Sequence, residues 1–238
     1  AFHYLKLAER QGDSRSSALL ADFYSEGKVV EKDPHKALRG YQLAIEKGQP
    51  RALILLFDAY TQSALDEVSK EHYQEYFRTW FQYFKERADQ GEESPDIIGQ
   101  FYEQGIGVEK SFEKAVDYYQ LSADKNSGTG YLFLGRCYEK GRGVPPSVTK
   151  AIYYYRKAGE TGLTQSWLIL AMLLLKDNQN AEEAVNYLKL IVQKGTDLSL
   201  NVLVIAHYYL GTCLEKGCGI IKSMKNALYH YKFAADHG

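Results

Sequence analysis

Apolar positions along this chain recur at spacings of three and four for ten to fifteen residues, break at a glycine-rich or polar stretch, and resume in the same rhythm. That spacing puts the apolar side chains on one face of a helix, so the pattern predicts a succession of amphipathic helices. One segment sets the period. Ile98–Asn126 reads IGQFYEQGIGVEKSFEKAVDYYQLSADKN, and 36 residues later Leu134–Gly162 reads LGRCYEKGRGVPPSVTKAIYYYRKAGETG in the same register. A period in this range marks an array of supersecondary units, none of which can bury its apolar face alone. Each copy reads helix, turn, helix. The first apolar run ends in Tyr-x-x-Gly, and Gly-x-Gly-Val breaks it because glycine accepts the left-handed backbone that a helix C-cap needs. Lys-Ala then opens a second amphipathic run, which a terminal glycine closes.

The residues that carry this pattern are Leu134, Gly135, Tyr138, Gly141, Gly143, Val144, Lys150, Ala151, Tyr155, Ala158 and Gly162. In these positions the chain resembles the Sel1-like repeat, a relative of the tetratricopeptide repeat. The resemblance implies an all-α fold, a right-handed α-α superhelix (solenoid) of about six and a half helix-turn-helix repeats. It also implies that the first helices line the concave side and that the role is that of a scaffold.

The repeats divide the chain as a single array. Residues 1–12 are the second half of one repeat, followed by a regular repeat at 13–48. The third, 49–91, is long and degenerate: it lacks the Gly-x-Gly-Val turn and carries an aromatic helix from about Asp66 or Ser69 to Ala88. Residues 92–126 and 127–162 are regular, with Asn126 standing in for the closing glycine of the first. The sixth, 163–195, is degenerate and short: Asp177-Asn178 replace the glycine turn, and Leu174 and Leu188 replace both tyrosines. Residues 196–238 restore the pattern. Tyr24, Tyr102, Tyr138, Gly105, Gly141 and Gly217 are the repeat's structural residues. The chain begins and ends on second helices, which suggests a piece of a longer array.

Composition narrows the function. The chain of 238 residues has a net charge of −1 and so lacks the basic excess on which nucleic-acid affinity depends. No apolar run is long enough to cross a membrane. Cys137, Cys213 and Cys218 do not repeat the one-cysteine-per-helix framework found in some cysteine-rich relatives. Neither they nor His207 match a zinc spacing, and no nucleophile–histidine motif occurs. No cofactor or metal is expected. Compartment is not legible in the sequence.

Each Gly-x-Gly follows a helix and lacks the Lys-Ser/Thr of a phosphate loop, so it reads as a turn. Glu103, Glu139 and Glu215 recur just after the tyrosine slot, which Leu214 fills in the last repeat, and read as a solvated face. The candidate binding surface is a row five residues before that tyrosine: Leu19, Leu55, Ile97, Phe133, Ile169 and Tyr209 are all apolar. The row three further on holds Asp22, Asp58, Gln100, Arg136, Met172 and Thr212. Ile97, Phe133, Arg136 and Tyr209 are therefore the expected contact residues of an inner groove. The same row would arise if it simply packed between neighbouring first helices. The aromatic helix around Tyr73 to Phe84 is the next candidate surface. The expected function is a non-catalytic adaptor that binds a partner protein or peptide on its concave face. Two alternatives remain open: an enzyme or cell-wall-precursor-binding module like the cysteine-rich relatives, and an architectural spacer within a larger protein.

Overall fold

The computed structural model describes residues 2–10, 13–27, 29–62, 67–176, 180–195 and 199–237. The expected Asp177-Asn178 turn, the Gly12 closure and the first residues of the aromatic helix near Asp66 lie outside them. Among the described residues there are thirteen helices and no strand. In order they are α1 (Phe2–Arg10), α2 (Ser14–Glu26), α3 (Pro34–Glu46), α4 (Arg51–Gln62), α5 (Glu67–Asp89), α6 (Pro95–Gln104) and α7 (Phe112–Asp124). There follow α8 (Gly128–Lys140), α9 (Val148–Glu160), α10 (Thr164–Lys176), α11 (Ala181–Lys194), α12 (Leu200–Lys216) and α13 (Met224–His237). The chain folds into two compact units, residues 1–115 and 116–238.

The helix ends follow the sequence signals. Asp33 accepts a hydrogen bond from the Lys36 backbone N–H at 3.0 Å, and Pro34 occupies the first turn of α3. Both satisfy the demands of a helix start. Gly27, Gly105, Gly141 and Gly217 cap first helices in the left-handed conformation, each sending its N–H back to a carbonyl of the last turn. Asn126 takes φ 59°, as a substitute for glycine should.

Packing runs between sequential neighbours. In the N-terminal unit α1 lies on α2, α2 on α3, α3 on α4, and α5 on α6; in the C-terminal unit α8 to α13 each lie on the next. Second-helix residues fill the layers between. Ala37, Tyr41 and Ala44 are buried on α3, and Ala151, Tyr155 and Ala158 on α9. Gly135 makes room for this: a Cβ there would stand 2.6 Å from the Tyr155 ring, and one at Gly211 would stand 2.8 Å from Tyr231. Leu174 and Leu188 fill the two tyrosine slots of the sixth repeat as buried core residues.

The second glycine of the turn has a tighter constraint than the sequence pattern indicates. Gly107 adopts φ 68°, and a Cβ on it would lie 2.1 Å from the Phe77 carbonyl oxygen of α5. Gly219 meets the Ala181 backbone of α11 in the same way, at 2.2 Å. The turn after each of these first helices thus rests directly on the backbone of an earlier second helix.

Candidate functional site

The tyrosines and charges of the repeat are bound into a local framework. The repeat lysine stands over the first-helix tyrosine ring: Lys36 over Tyr24 at 5.4 Å, Lys114 over Tyr102 at 5.4 Å and Lys150 over Tyr138 at 4.8 Å. The second-helix tyrosine donates to a carboxylate on the first helix. Tyr155 Oη meets Glu139 Oε2 at 2.6 Å, and Tyr231 Oη meets Glu215 Oε2 at 2.6 Å. In the second repeat Tyr41 donates to Asp22 at 2.7 Å. Glu139 and Glu215 are therefore not merely a solvated face, because a carboxylate–phenol bond recurring at one register fastens the hairpin. Burial, then the adjacent carboxylate, pushes the Tyr231 phenol up to about 12 and the Tyr155 phenol further. Asp22, expected on the polar inner row, is likewise drawn into this framework.

The candidate contact residues divide. Ile97 is only 3% exposed; it sits in the core of α6 with Ile98 and Phe101, so it is removed from the contact surface. At Ile97 the apolar row is core packing, the alternative that the spacing leaves open. On α8, Phe133 is half-buried and stacks on Tyr119 with ring centres 4.8 Å apart. The exposed Arg136 guanidinium lies 5.6 Å from the Phe133 ring centre. Tyr209 on α12 is half-buried against the core, with Tyr208 edge-on at 5.6 Å. The structure thus joins Phe133 to Arg136 as a cation–aromatic pair.

The first-helix face of the C-terminal unit carries a feature that the row pattern only half reveals. Between α10 and α12, two consecutive first helices, lies an open cavity of about 570 Å³. Leu163, Leu168, Ile169 and Val202 form its apolar lining, while Gln165, Ser199 and Asn201 supply hydrogen-bonding groups. Met172 and Ile205 also line it and stay 40% and 39% exposed. Ile169 and Met172 belong to the two rows; Ile205 and Asn201 lie outside them, on the lengthened first helix of the last repeat. The cleft is open to solvent and mixes apolar surface with a few polar groups.

The N-terminal unit has a different opening, of about 520 Å³, between α4, α5 and the turn after α6. Phe57, Tyr60, Phe77, Gln74 and Arg78 line it with the turn that begins at Gly105. Tyr60, Tyr73 and Phe77 stand edge-on or tilted to one another within 6.2 Å there, so the aromatic helix turns much of this part inward. Tyr83, further along it, is 42% exposed.

Among the described residues no group of three or more His, Cys, Asp or Glu is arranged to hold a metal ion, and no helix is long and apolar enough to cross a membrane. Cys137, Cys213 and Cys218 form no disulfide.

Comparison with known proteins accords with this architecture. The structure is similar to the crystal structure of a protective antigen present in uropathogenic Escherichia coli strains displaying an SLR fold. That likeness has a TM-score of 0.59 and 20% identity, and covers 100% of this chain and 49% of that one. The chain therefore spans about half the length of the antigen. A Sel1 repeat protein from Oxalobacter formigenes is similar with a TM-score of 0.51 at 22% identity, over 99% of this chain and 78% of that one. Identities this low speak to the fold alone. No curated protein matches the sequence. A family model described as Sel1 repeat matches residues 1–13, 14–49, 98–127, 129–163 and 204–238, leaving out most of the third and sixth repeats. The matches fall on the glycine turns, the tyrosines and the helix pairs described above, and the chain belongs to the Sel1 repeat family.

Proposed function

We propose that this chain is a non-catalytic adaptor that captures a peptide segment of a partner protein on the first-helix face of residues 116–238. Sel1-repeat proteins generally mediate protein–protein interaction and are typically non-catalytic scaffolds. The observation that carries the finer reading is the cleft between α10 and α12. Met172 and Ile205 are left part-exposed beside an apolar lining, and Gln165, Ser199 and Asn201 stand ready for a peptide backbone. An apolar side chain of the partner would enter the cleft as an anchor, and the amide and hydroxyl groups would fix the strand or helix that bears it. Phe133, Arg136 and Tyr209 are proposed as additional contacts on α8 and α12; Arg136 suits an acidic or aromatic partner side chain.

Peptide selection from a displayed random library on the purified protein tests this. Peptides enriched on the wild type should lose at least about thirtyfold in affinity on Met172→Asp/Ile205→Asp, a loss on the hot-spot scale, while the melting midpoint of the protein barely moves. Equal binding by the double variant would sink the assignment of the cleft.

A further inference from the structure

The two helices of each hairpin in the C-terminal unit are joined by a pair of ring side chains at one register. The first-helix member lies seven residues before the tyrosine slot, and the second-helix member lies just before its own. In successive repeats the pair is Tyr131–Tyr154, with ring centres 6.4 Å apart, then Trp167–Tyr187 at 6.4 Å. In the last repeat it is His207–His230 at 4.9 Å. Only this final pair can gain charge near neutral pH. The two Nδ1 atoms lie 3.0 Å apart, so one ring donates to the other. His207 is 5% exposed and stacks on Phe233 of α13 at 3.8 Å.

Every element around the pair is poor in compensating negative charge. On α13, Tyr229 lies near His207, and His237 stacks on Phe233 at 4.4 Å. From α11, Lys189 and Gln193 line a cavity of about 350 Å³ together with His230 and Tyr229. α10 faces α12 with Gln165, Leu168, Ile169 and Met172, none of which titrates. On α12 itself Glu215 is engaged with Tyr231. The titratable groups other than the two rings are thus Lys189 and His237, both of which add positive charge, and the neutral Tyr229. We propose that His207 and His230 form a proton-operated latch, closed when both rings are neutral, which frees α13 from α12 in mild acid.

The first proton taken from solvent leaves one N–H···N bond but charges a part-buried pair. The second sets two N–H groups against each other and removes the only acceptor. Burial, then His230 and His237, lowers the His207 pKa to about 4, and burial lowers that of His230. A folded-state value depressed below the unfolded one makes the latch fully stabilising above about 6.5 and progressively weaker as the pH falls toward 4. The hairpin α8–α9 has the same tyrosine–carboxylate bond but a Tyr131–Tyr154 pair, and so serves as an internal control.

Amide hydrogen exchange of the full chain at pH 7.5 and pH 5.0, corrected for the intrinsic pH dependence of exchange, reads the latch. The α13 amides should open on the order of tenfold more at pH 5.0, as expected for a site whose proton affinity rises by more than one pH unit on release. The α9 amides should not. His207→Phe/His230→Tyr should abolish the difference. Unchanged α13 opening in the wild type, an equal effect in α9, or a full effect retained by the double variant would each overturn the proposal. Should that variant fold poorly, ring-proton NMR of the wild type decides. Both rings should stay neutral at pH 6 while α13 is closed; ordinary titration near 6.5 with α13 still protected would refute the latch.

Discussion

Replacing Gly107 with alanine isolates the contact that seats a repeat turn on the helix before it. Two costs add. An L-residue at φ 68° occupies the left-handed region at about 1–2 kcal/mol. The new methyl would also stand 2.1 Å from the Phe77 carbonyl oxygen, 2.5 Å from its carbon and 2.9 Å from the Arg78 nitrogen. An ordinary C···O approach is about 3.3 Å or more, so the turn must lift by roughly an ångström from backbone that cannot rotate away. Overpacking of this kind costs about 1–3 kcal/mol, which makes the total about 2–5 kcal/mol. Gly105 provides the comparison. It has φ 83°, but its nearest neighbour is the Lys110 Cβ at 3.3 Å, so Gly105→Ala should cost only the conformational term, about 1–2 kcal/mol. Urea denaturation followed by helical circular dichroism measures both. Gly107→Asn should keep the contact cost of about 1–3 kcal/mol, because asparagine eases the backbone but not the contact. If Gly107→Ala costs no more than Gly105→Ala, the close approach is not a determinant of stability and the reasoning fails.

Other outcomes follow from the core and the hairpin bonds. Leu134→Ala, at a position with no exposure, should lose about 2–5 kcal/mol in the same melts. Tyr138→Ala should fall at the low end, because that ring is half-buried; a loss under about 0.5 kcal/mol for Leu134→Ala would mean that the layer is not core. Tyr155→Phe should cost about 1–2 kcal/mol, the lower part of the range for bonds to charged acceptors because Glu139 can return to water. Combined with Glu139→Gln it should show a coupling above about 0.5 kcal/mol in a double-mutant cycle, whereas strict additivity would mean that the carboxylate contributes nothing.

Much of the fold was legible because glycine and tyrosine carry steric information at fixed spacing. Gly27, Gly105, Gly141 and Gly217 were read as helix ends, and each is a left-handed cap. Asn126 was read as their substitute and has positive φ. Spacing alone conveys neither depth nor pairing. Ile97 and Phe133 share a repeat position, yet Ile97 is in the core while Phe133 stacks half-buried on Tyr119. Glu139 and Glu215 looked solvated because the partner tyrosine lies sixteen residues away, beyond the reach of any helix-period argument. The relation of His230 to His207 is not legible in the sequence either, because it depends on how α12 meets α13. The cleft was missed for a similar reason. Ile205 and Asn201 belong to neither row, and only the packing of α10 beside α12 brings them to Ile169 and Met172. The lengthened first helix of the last repeat was the one available signal.

The claim that the first-helix face of residues 116–238 receives a partner peptide is tested most directly by site-specific photocrosslinking. A photoreactive amino acid would be placed at Met172, at Ile205, or at Tyr153, an exposed residue on a second helix, and each protein incubated with a library-selected peptide. The account predicts crosslinks from positions 172 and 205, suppressed by excess unlabelled peptide, and none from 153. Specific crosslinking at 153 with none at 172 or 205 would contradict it.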